Sequence, residues 1–282
     1  MTFNDDAKID SGRVKRRGKG ALIGGGGGIG VIIVVFIISQ VTGIDLSSLA
    51  GGGGGSNGSD TEIANCETGE QANADLDCRL NAASDALDTY WPTQVDDYRT
   101  TTVILFEDQT NTGCGAATSA VGPFYCPADE IIYIDTDFYA ELRTTYGASG
   151  GPLAEMYVLA HEWGHHIQNV LGTMDGLDQS ATGPDSDSVR LELQADCYAG
   201  SWVGAATQTD DGTGTTFLEP ISSEELEQAL SAASAVGDDR IQGTEANSES
   251  WTHGSSEKRQ EWFTAGYEGG PSACDTFAVA TP

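Results

Sequence analysis

Apolar residues recur at three- and four-residue steps in several stretches of this 282-residue chain, which is the spacing of amphipathic helices. One stretch runs from Leu76 to Tyr90 and stops before Pro92, since proline cannot continue a helix. Another lies between Pro152 and Gly172, a proline and a glycine at positions where helices begin and end. The predicted helices cover residues 76–91, 152–171, about 188–206, 222–236 and 256–268.

Two short apolar runs have the length and composition of β-strands. Residues 101–107 and 130–135 are rich in β-branched and aromatic side chains. Residues 113–128 contain glycine, proline and two cysteines, which indicates a stapled loop. We predict an α+β fold, rich in helices with a small sheet, and take residues 130–135 as a candidate edge strand that holds an extended peptide by main-chain pairing.

An uncharged apolar segment occupies residues 21–41, and as a helix it would span roughly 30 Å, about one hydrocarbon core. Six of the thirteen lysines and arginines precede it within the first twenty residues. By the positive-inside rule, this arrangement predicts a cytoplasmic N-terminus and an exported remainder. The competing interpretation is a cleaved signal peptide with Ser48 and Ala50 before the cut, which would give a secreted protein.

These features divide the chain into four predicted parts. They are a basic cytoplasmic N-terminus (1–20), a transmembrane helix (21–42), a linker rich in glycine and serine (43–61) and an exported domain (62–282). The predicted location is the cell membrane, with a single pass and the large domain outside the cytoplasm.

The formal net charge is −30 at pH 7, although much of the positive charge is concentrated at the N-terminus. The remainder of the chain is therefore even more acidic than the total suggests. Because so acidic a surface repels phosphate backbones, we predict no nucleic-acid partner.

All six cysteines follow the apolar segment, and an even number in an exported domain indicates disulfides. Six cysteines allow fifteen pairings, and buried free thiols are the alternative. Proximity along the chain favours the pairs Cys66–Cys78 and Cys114–Cys126, which leaves Cys197–Cys274.

The segment from His161 to His165 fits the pattern H-E-x-x-H inside a predicted helix. Positions four apart lie on one helix face, so both imidazoles can bind one zinc ion. Glu162 projects to the flank, where it can take a proton from water rather than ligate the metal. The alternative is a chance pair of surface histidines.

Catalytic zinc takes three protein ligands, and the third has to come from another part of the chain. Glu192 and Asp196 stand four residues apart on the next predicted helix. We predict that Glu192 is the third ligand and that Asp196 accepts a hydrogen bond from the outer nitrogen of His161. Asp196 as the ligand, or a solvated acidic helix face, are the alternatives.

Two further histidines complete the chain's set of four. His166 points away from the metal face, and we interpret it as a surface or supporting residue. His253 lies in a predicted loop, where it is either exposed or a donor that stabilises the oxyanion formed during peptide hydrolysis.

Four sequence segments resemble the neutral zinc metallopeptidase family of bacteria. They are HEWGHHIQNVLG, RLELQADCYAGSW, ALSAASAVGDDRIQ and THGSSEKRQEWFTAGYEGG with the later CDTF. The N-terminal order of a basic stretch, a glycine run, one apolar segment and IDLSSL is similar as well. The resemblance covers most of the chain and implies a membrane-anchored hydrolase with a zincin-like domain.

The wider group that uses glutamate as its third ligand includes thermolysin, and motif position then implies a role for each site residue. His161, His165 and Glu192 would bind the metal, Glu162 would be catalytic, and Asp196 would support His161. The resemblance also favours a catalytic role for His253, which stands within a family motif.

The sequence therefore predicts an enzyme that hydrolyses peptide bonds with one catalytic Zn²⁺ and acts on a peptide or an unfolded protein. The alternative from another class is an exported, non-catalytic protein of the cell envelope that uses zinc only for stability. A structural zinc site is normally closed by four protein ligands, whereas this sequence offers three.

Overall fold

The structure is a computed structural model, and it describes residues 2–10, 12–18, 59–243 and 246–282. The predicted transmembrane helix (21–42) and most of the predicted linker (43–61) lie outside these residues, so both stay predictions. Within the described ranges, no helix combines the length and the apolar character needed to cross a bilayer.

Eight α-helices account for most of the regular structure in the described residues. The helices are α1 (Gly69–Ala74), α2 (Leu76–Tyr90), α3 (Phe138–Thr144), α4 (Pro152–Leu171), α5 (Asp187–Ala206), α6 (Ser223–Ala235), α7 (Asp238–Ile241) and α8 (Ser256–Gly269). The five helices expected from sequence are all present, and the short helices α1, α3 and α7 were not predicted.

Seven strands in the described residues form a five-stranded mixed sheet and a separate two-stranded hairpin. The strands are β1 (Val14–Arg17), β2 (Asp60–Glu62), β3 (Thr102–Phe106), β4 (Gln109–Thr112), β5 (Gly115–Thr118), β6 (Phe124–Cys126) and β7 (Ile131–Asp135). The large sheet has the order β2-β1-β3-β7-β6, and β4 pairs with β5. The α+β class predicted from sequence is confirmed.

The prediction that residues 130–135 form an edge strand was wrong. Strand β7 lies inside the sheet, parallel to β3 on one side and antiparallel to β6 on the other. Its main-chain groups are therefore already paired and are not available to a peptide. The outer strand on this side is β6, because residues 119–135 turn back on themselves before β7 enters the sheet.

The two faces of the sheet are covered by different parts of the chain. Val103 and Leu105 pack into the main core with the helices, whereas Ile104 and Phe106 point to the opposite face. That second face is closed by residues 114–126, so the predicted loop 113–128 in fact contains β5 and β6. The three predicted disulfides are confirmed: Cys66–Cys78, Cys114–Cys126 and Cys197–Cys274.

The N-terminal residues belong to the same folded unit as the rest of the described chain. Strand β1 lies between β2 and β3, and the side chain of Val14 is fully buried. The predicted domain start at residue 62 therefore leaves out a strand that the sheet contains. Local sequence pattern could not reveal this strand, because its pairing partners lie about ninety residues away in β3.

Glycines allow the helices around the metal motif to pack closely. A Cβ atom at Gly164 of α4 would lie 2.9 Å from the Cα atom of Ala195 in α5. A Cβ atom at Gly200 of α5 would lie 1.9 Å from the carbonyl oxygen of Phe263 in α8. The close contacts of α5 with both α4 and α8 bring side chains from three helices into one site.

Candidate metal centre

The side chains of His161, His165 and Glu192 converge where α4 and α5 touch. The Nε2 atom of His161 lies 3.2 Å from Glu192 Oε2, and the Nε2 atom of His165 lies 3.3 Å from Glu192 Oε1. All three residues offer a ligand atom within 4.8 Å of the others. Four ligands at about 2.0–2.1 Å from zinc are separated by roughly 3.3–3.4 Å in a tetrahedron, so these spacings fit the ion.

Helix geometry explains why these side chains meet. His161 and His165 are one turn apart on α4, and Glu192 is on the part of α5 that Gly164 allows to approach. A Cβ atom at position 164 would overlap the backbone of Ala195, which lies one turn after Glu192 on α5, so the two helices would have to move apart. The glycine inside the H-E-x-x-H motif therefore sets the distance between the two ligand-bearing helices.

Behind His161 lies a buried cluster of charged and polar groups. Asp196 Oδ1 is 2.9 Å from His161 Nδ1 and also accepts a hydrogen bond from the Tyr157 hydroxyl. Arg259 on α8 donates to both oxygens of Asp196, through Nε at 2.8 Å and Nη2 at 3.0 Å. Asp196 is fully buried and Arg259 is 2% exposed, so the pair is removed from water.

Behind His165 lies a chain of neutral amides. Gln168 Oε1 is 2.9 Å from His165 Nδ1, and Gln168 Nε2 donates to the carbonyl of Leu191 at 2.7 Å. The same amide donates to Gln194 Oε1 at 3.1 Å, and Gln194 donates in turn to the carbonyl of Cys274 at 2.9 Å. This chain ties the second histidine to α5 and to the Cys197–Cys274 disulfide.

The electrostatics keep both carboxylates ionised. Burial alone would raise the pKa of Asp196, but Arg259 and His161 lower it below its ordinary value. Burial opposes the ionisation of Glu192 too, and His253 and His165 hold its pKa well below the usual range. Burial would lower the pKa of His161, yet Asp196 and Glu192 raise it to about 10.

Glu162 lies beside the ligands and lines the same cavity. Its side chain is buried, and burial raises its pKa above the ordinary value although His161 and His165 act in the opposite direction. A carboxylate whose pKa is raised above its ordinary value is better suited to accept and return a proton.

His253 also reaches the cavity, from the loop before α8. Asp238, which is 1% exposed, accepts hydrogen bonds from the backbone N–H groups of Thr252, His253 and Gly254. The carboxylate of Asp238 lies 3.5 Å from His253 Nδ1. These contacts orient the ring through Nδ1, so Nε2 is the nitrogen available to a bound substrate.

A cavity of about 270 Å³ connects these groups to an apolar wall. The wall consists of residues from α3, α4, the end of α6 and α7. Its apolar members include Phe138, Leu142, Val158, Val236 and Ile241. Residues 119–123, which lead into β6, form part of the lining, so the cavity extends from the metal centre toward the edge of the sheet.

Comparison with known proteins identifies the family. The sequence profile described as "Putative neutral zinc metallopeptidase" matches residues 3–277. The chain belongs to this family. A relative in Mycobacterium tuberculosis (strain H37Rv), "Uncharacterized protein Rv2575", is 49% identical over 224 residues, which are 78% of this chain and 76% of the relative. Escherichia coli K12 has "Uncharacterized protein YpfJ", 35% identical over 282 residues, 97% of this chain and 94% of the relative.

The family match confirms the resemblance noted in the sequence. No solved structure is a significant match to this chain. The family's description supports zinc as the metal for the His161–His165–Glu192 group, and it supports a hydrolase in general terms.

All six site residues taken from the sequence line this site or support it, and four further residues join them. Tyr157 and Gln168 lie one turn from a ligand on α4, at i−4 from His161 and i+3 from His165, so helical spacing could have indicated them. Arg259 and Asp238 carry no such signal, because their positions depend on how α8 and α7 pack.

The remaining histidine does not belong to the site. His166 is fully buried, its Nε2 atom lies 2.6 Å from the carbonyl oxygen of Arg99, and its Nδ1 atom lies 3.1 Å from the Tyr125 hydroxyl. The expectation of a surface position was therefore wrong. His166 attaches the metal-binding helix to the sheet side of the molecule.

Proposed function

We propose that this protein is a zinc-dependent peptidase, and one observation carries the proposal. His161, His165 and Glu192 bring their ligand atoms within 4.8 Å of one another, beside a cavity that Glu162 and His253 also line. A site with three protein ligands leaves a coordination position for water, whereas a structural site is closed by four. In such a site zinc acts as a Lewis acid and lowers the pKa of water.

The protein's own residues supply the rest of the chemistry. Glu162 accepts a proton from the attacking water and returns it to the leaving amine, a role that its raised pKa favours. His253, oriented by Asp238, donates a hydrogen bond to the oxygen that becomes negative when the carbonyl is attacked. Asp196 holds His161 in the tautomer that presents Nε2 to the metal.

The proposed substrate is a peptide or an unfolded protein. The apolar wall of the cavity favours an aliphatic or aromatic side chain next to the bond that is cut. Strand β6 pairs with β7 on one side only among the described residues, so an extended peptide fits along residues 119–126 better than along β7. This arrangement replaces the earlier proposal for residues 130–135.

The proposed location is outside the cytoplasm. The three disulfides, which use all six cysteines of the chain, support an oxidising compartment. Attachment to a membrane through residues 21–42 remains part of the proposal, and attachment does not require that these residues cross the bilayer.

Hydrolysis of casein and of a broad library of quenched peptides, with and without a chelator, tests the proposed activity. We expect chelator-sensitive cleavage that added zinc restores. Glu162→Gln should keep about one zinc per chain and lose turnover by roughly 10²–10⁴-fold, because it removes the base but no ligand.

Loss of zinc in Glu162→Gln would show that its role is misassigned. A protein that binds zinc, cleaves nothing in the library and unfolds without the metal would support the rival function, an exported protein of the cell envelope stabilised by zinc.

A further inference from the structure

The first strand is an interior strand of the main sheet. On one side β1 pairs antiparallel with β2, and Lys15 is opposite Glu62. On the other side β1 pairs parallel with β3, and Val14 is opposite Val103. The residues before it are equally integrated, since Phe3 is 1% exposed and contacts Leu218 through an isolated β-bridge.

The arginines of the N-terminal basic cluster have acidic partners in the domain. Arg13 lies 2.6 Å from Asp88 of α2, and Arg16 lies 2.6 Å from Asp77 of the same helix. These two pairs fix the strand to the helical side of the sheet.

Arg17 makes the third set of contacts, on the opposite face of the sheet. Its guanidinium binds both oxygens of Asp60, at 2.7 and 3.0 Å, and donates to the carbonyl of Asn111 at 2.8 Å. The side chain is 9% exposed and also lies over the ring of Tyr133. These contacts give the three arginines of the basic cluster a role in the fold that is independent of membrane orientation.

Gly18 and Ser59, the described residues on either side of segment 19–58, lie next to each other. A Cβ atom at Gly18 would lie 3.9 Å from the carbonyl oxygen of Ser59. A chain that crossed a bilayer once between these residues would place β1 on the opposite side of the membrane from β2 and β3. Single-pass topology and the observed sheet therefore exclude each other.

From this geometry we propose that residues 2–18 lie in the same compartment as the metal centre. The N-terminus is then on the exported side if the domain is exported. The inference does not depend on the proposed peptidase activity, because it rests on strand pairing alone.

Epitope tags at the two ends of the full chain test the proposal in cells. After protease treatment of intact spheroplasts, both tags should be cut or both should be protected, and lysis should expose them equally. Digestion of the C-terminal tag with protection of the N-terminal tag would overturn the proposal.

A cysteine pair gives an independent test in isolated, sealed membranes. Lys15→Cys with Glu62→Cys joins residues directly opposite each other, which in antiparallel strands lie about 4.5–5.5 Å apart at Cα, within disulfide range. All six native cysteines are already paired, so the new thiols have only each other.

The matched control for this pair is Lys15→Cys with Thr61→Cys. Thr61 is opposite Arg16, so its side chain points to the other face of the sheet from that of Lys15 and the two sulfurs cannot be joined. A membrane-permeant oxidant should cross-link the first pair nearly completely and the control at least tenfold less. Equal failure of both pairs would show that β1 is not in the sheet of the membrane-bound protein.

Discussion

The two metal-binding histidines share one helix, but different chemistry supports them. His161 contacts a fully buried carboxylate that is neutralised by an arginine, through Asp196 and Arg259. His165 contacts a neutral amide, Gln168, whose other hydrogen bonds go to further amide groups. A carboxylate raises the basicity of its histidine more than an amide does, so the two ligands are electronically unequal.

The difference also determines which histidine can lose its hydrogen-bonding partner without a large loss of folding stability. A buried charge that loses its partner is costly, so Asp196 and Arg259 stabilise the fold only as a pair. The amides behind His165 carry no net charge, and each loss leaves at most a few unsatisfied hydrogen bonds. The His161 side is therefore the part of the centre where activity and folding are coupled.

The largest expected effect comes from removing a metal ligand. This effect should be the same whether the ligand is supported by a carboxylate or by an amide. His161→Ala, His165→Ala and Glu192→Ala should each abolish stoichiometric zinc binding, measured by metal analysis after mild chelation. Asp196→Asn should keep much of its zinc under the same treatment. If Glu192→Ala retains the metal and Asp196→Asn loses it, Asp196 is the ligand and the assignment is inverted.

The next largest effect is on folding stability, and it is expected for the charged pair Asp196–Arg259 behind His161. Arg259→Gln should lower the free energy of unfolding of the metal-free protein by about 3–5 kcal/mol, because Asp196 remains buried without its partner. Adding Asp196→Asn should recover part of this loss. Urea denaturation measures both changes.

A neighbouring residue provides the control for that experiment. Lys258 pairs with Glu261 on the exposed side of α8 at 3.0 Å, so Lys258→Gln should change stability by no more than about 1 kcal/mol. An Arg259→Gln protein that is as stable as this control would mean that the buried pair does not hold α8 in place.

A smaller effect compares the two supports through metal affinity. Asp196→Asn should weaken zinc binding about 10–100-fold, since it removes a carboxylate behind a ligand. Gln168→Ala should weaken it by about tenfold or less, because the lost group is neutral. Competition with a chromophoric chelator measures the zinc affinity of both variants. If Gln168→Ala loses as much affinity as Asp196→Asn or more, the two histidines are not supported unequally.

Sequence alone could predict the parts of this protein that depend on local spacing. The H-E-x-x-H pair, the Glu192–Asp196 pair and the helices that carry them follow from helical periodicity, and the structure brings them together. The position of β7 inside the sheet could not be predicted, because a short apolar run has the same pattern at an edge and in an interior.

Two other features depend on residues that are distant in sequence. Arg259 lies 63 residues beyond Asp196, and only the packing of α8 on α5 brings them into contact. The strand β1 was interpreted as a cytoplasmic basic segment, because its positive charge is visible locally and its acidic partners are not. Long-range charge pairing is thus a feature that local sequence pattern cannot indicate.

The smallest expected effect is a difference in pH dependence between the wild type and Asp196→Asn, which reports the same inequality between the two histidines. In the metal-free protein the pKa of His161 is raised from 6.5 to about 10, mainly by Asp196 once the opposing effect of burial is overcome. A raised pKa means that protonated His161 stabilises the metal-free fold fully below about pH 6.5, and that this contribution is lost as the pH rises toward 10. Zinc must displace that proton from Nε2, so its affinity should increase with pH by up to about tenfold per unit.

Thermal denaturation with and without zinc at several pH values between 6 and 9 measures this dependence. The increase in melting temperature caused by zinc should grow with pH in the wild type. In Asp196→Asn it should level off at lower pH, since the carboxylate that holds the proton on His161 is gone. Gln168→Ala should follow the wild-type curve, because the amide does not contribute to the pKa of His161. If all three proteins give parallel curves, Asp196 does not control the protonation of His161, and the two histidines are equivalent toward the metal.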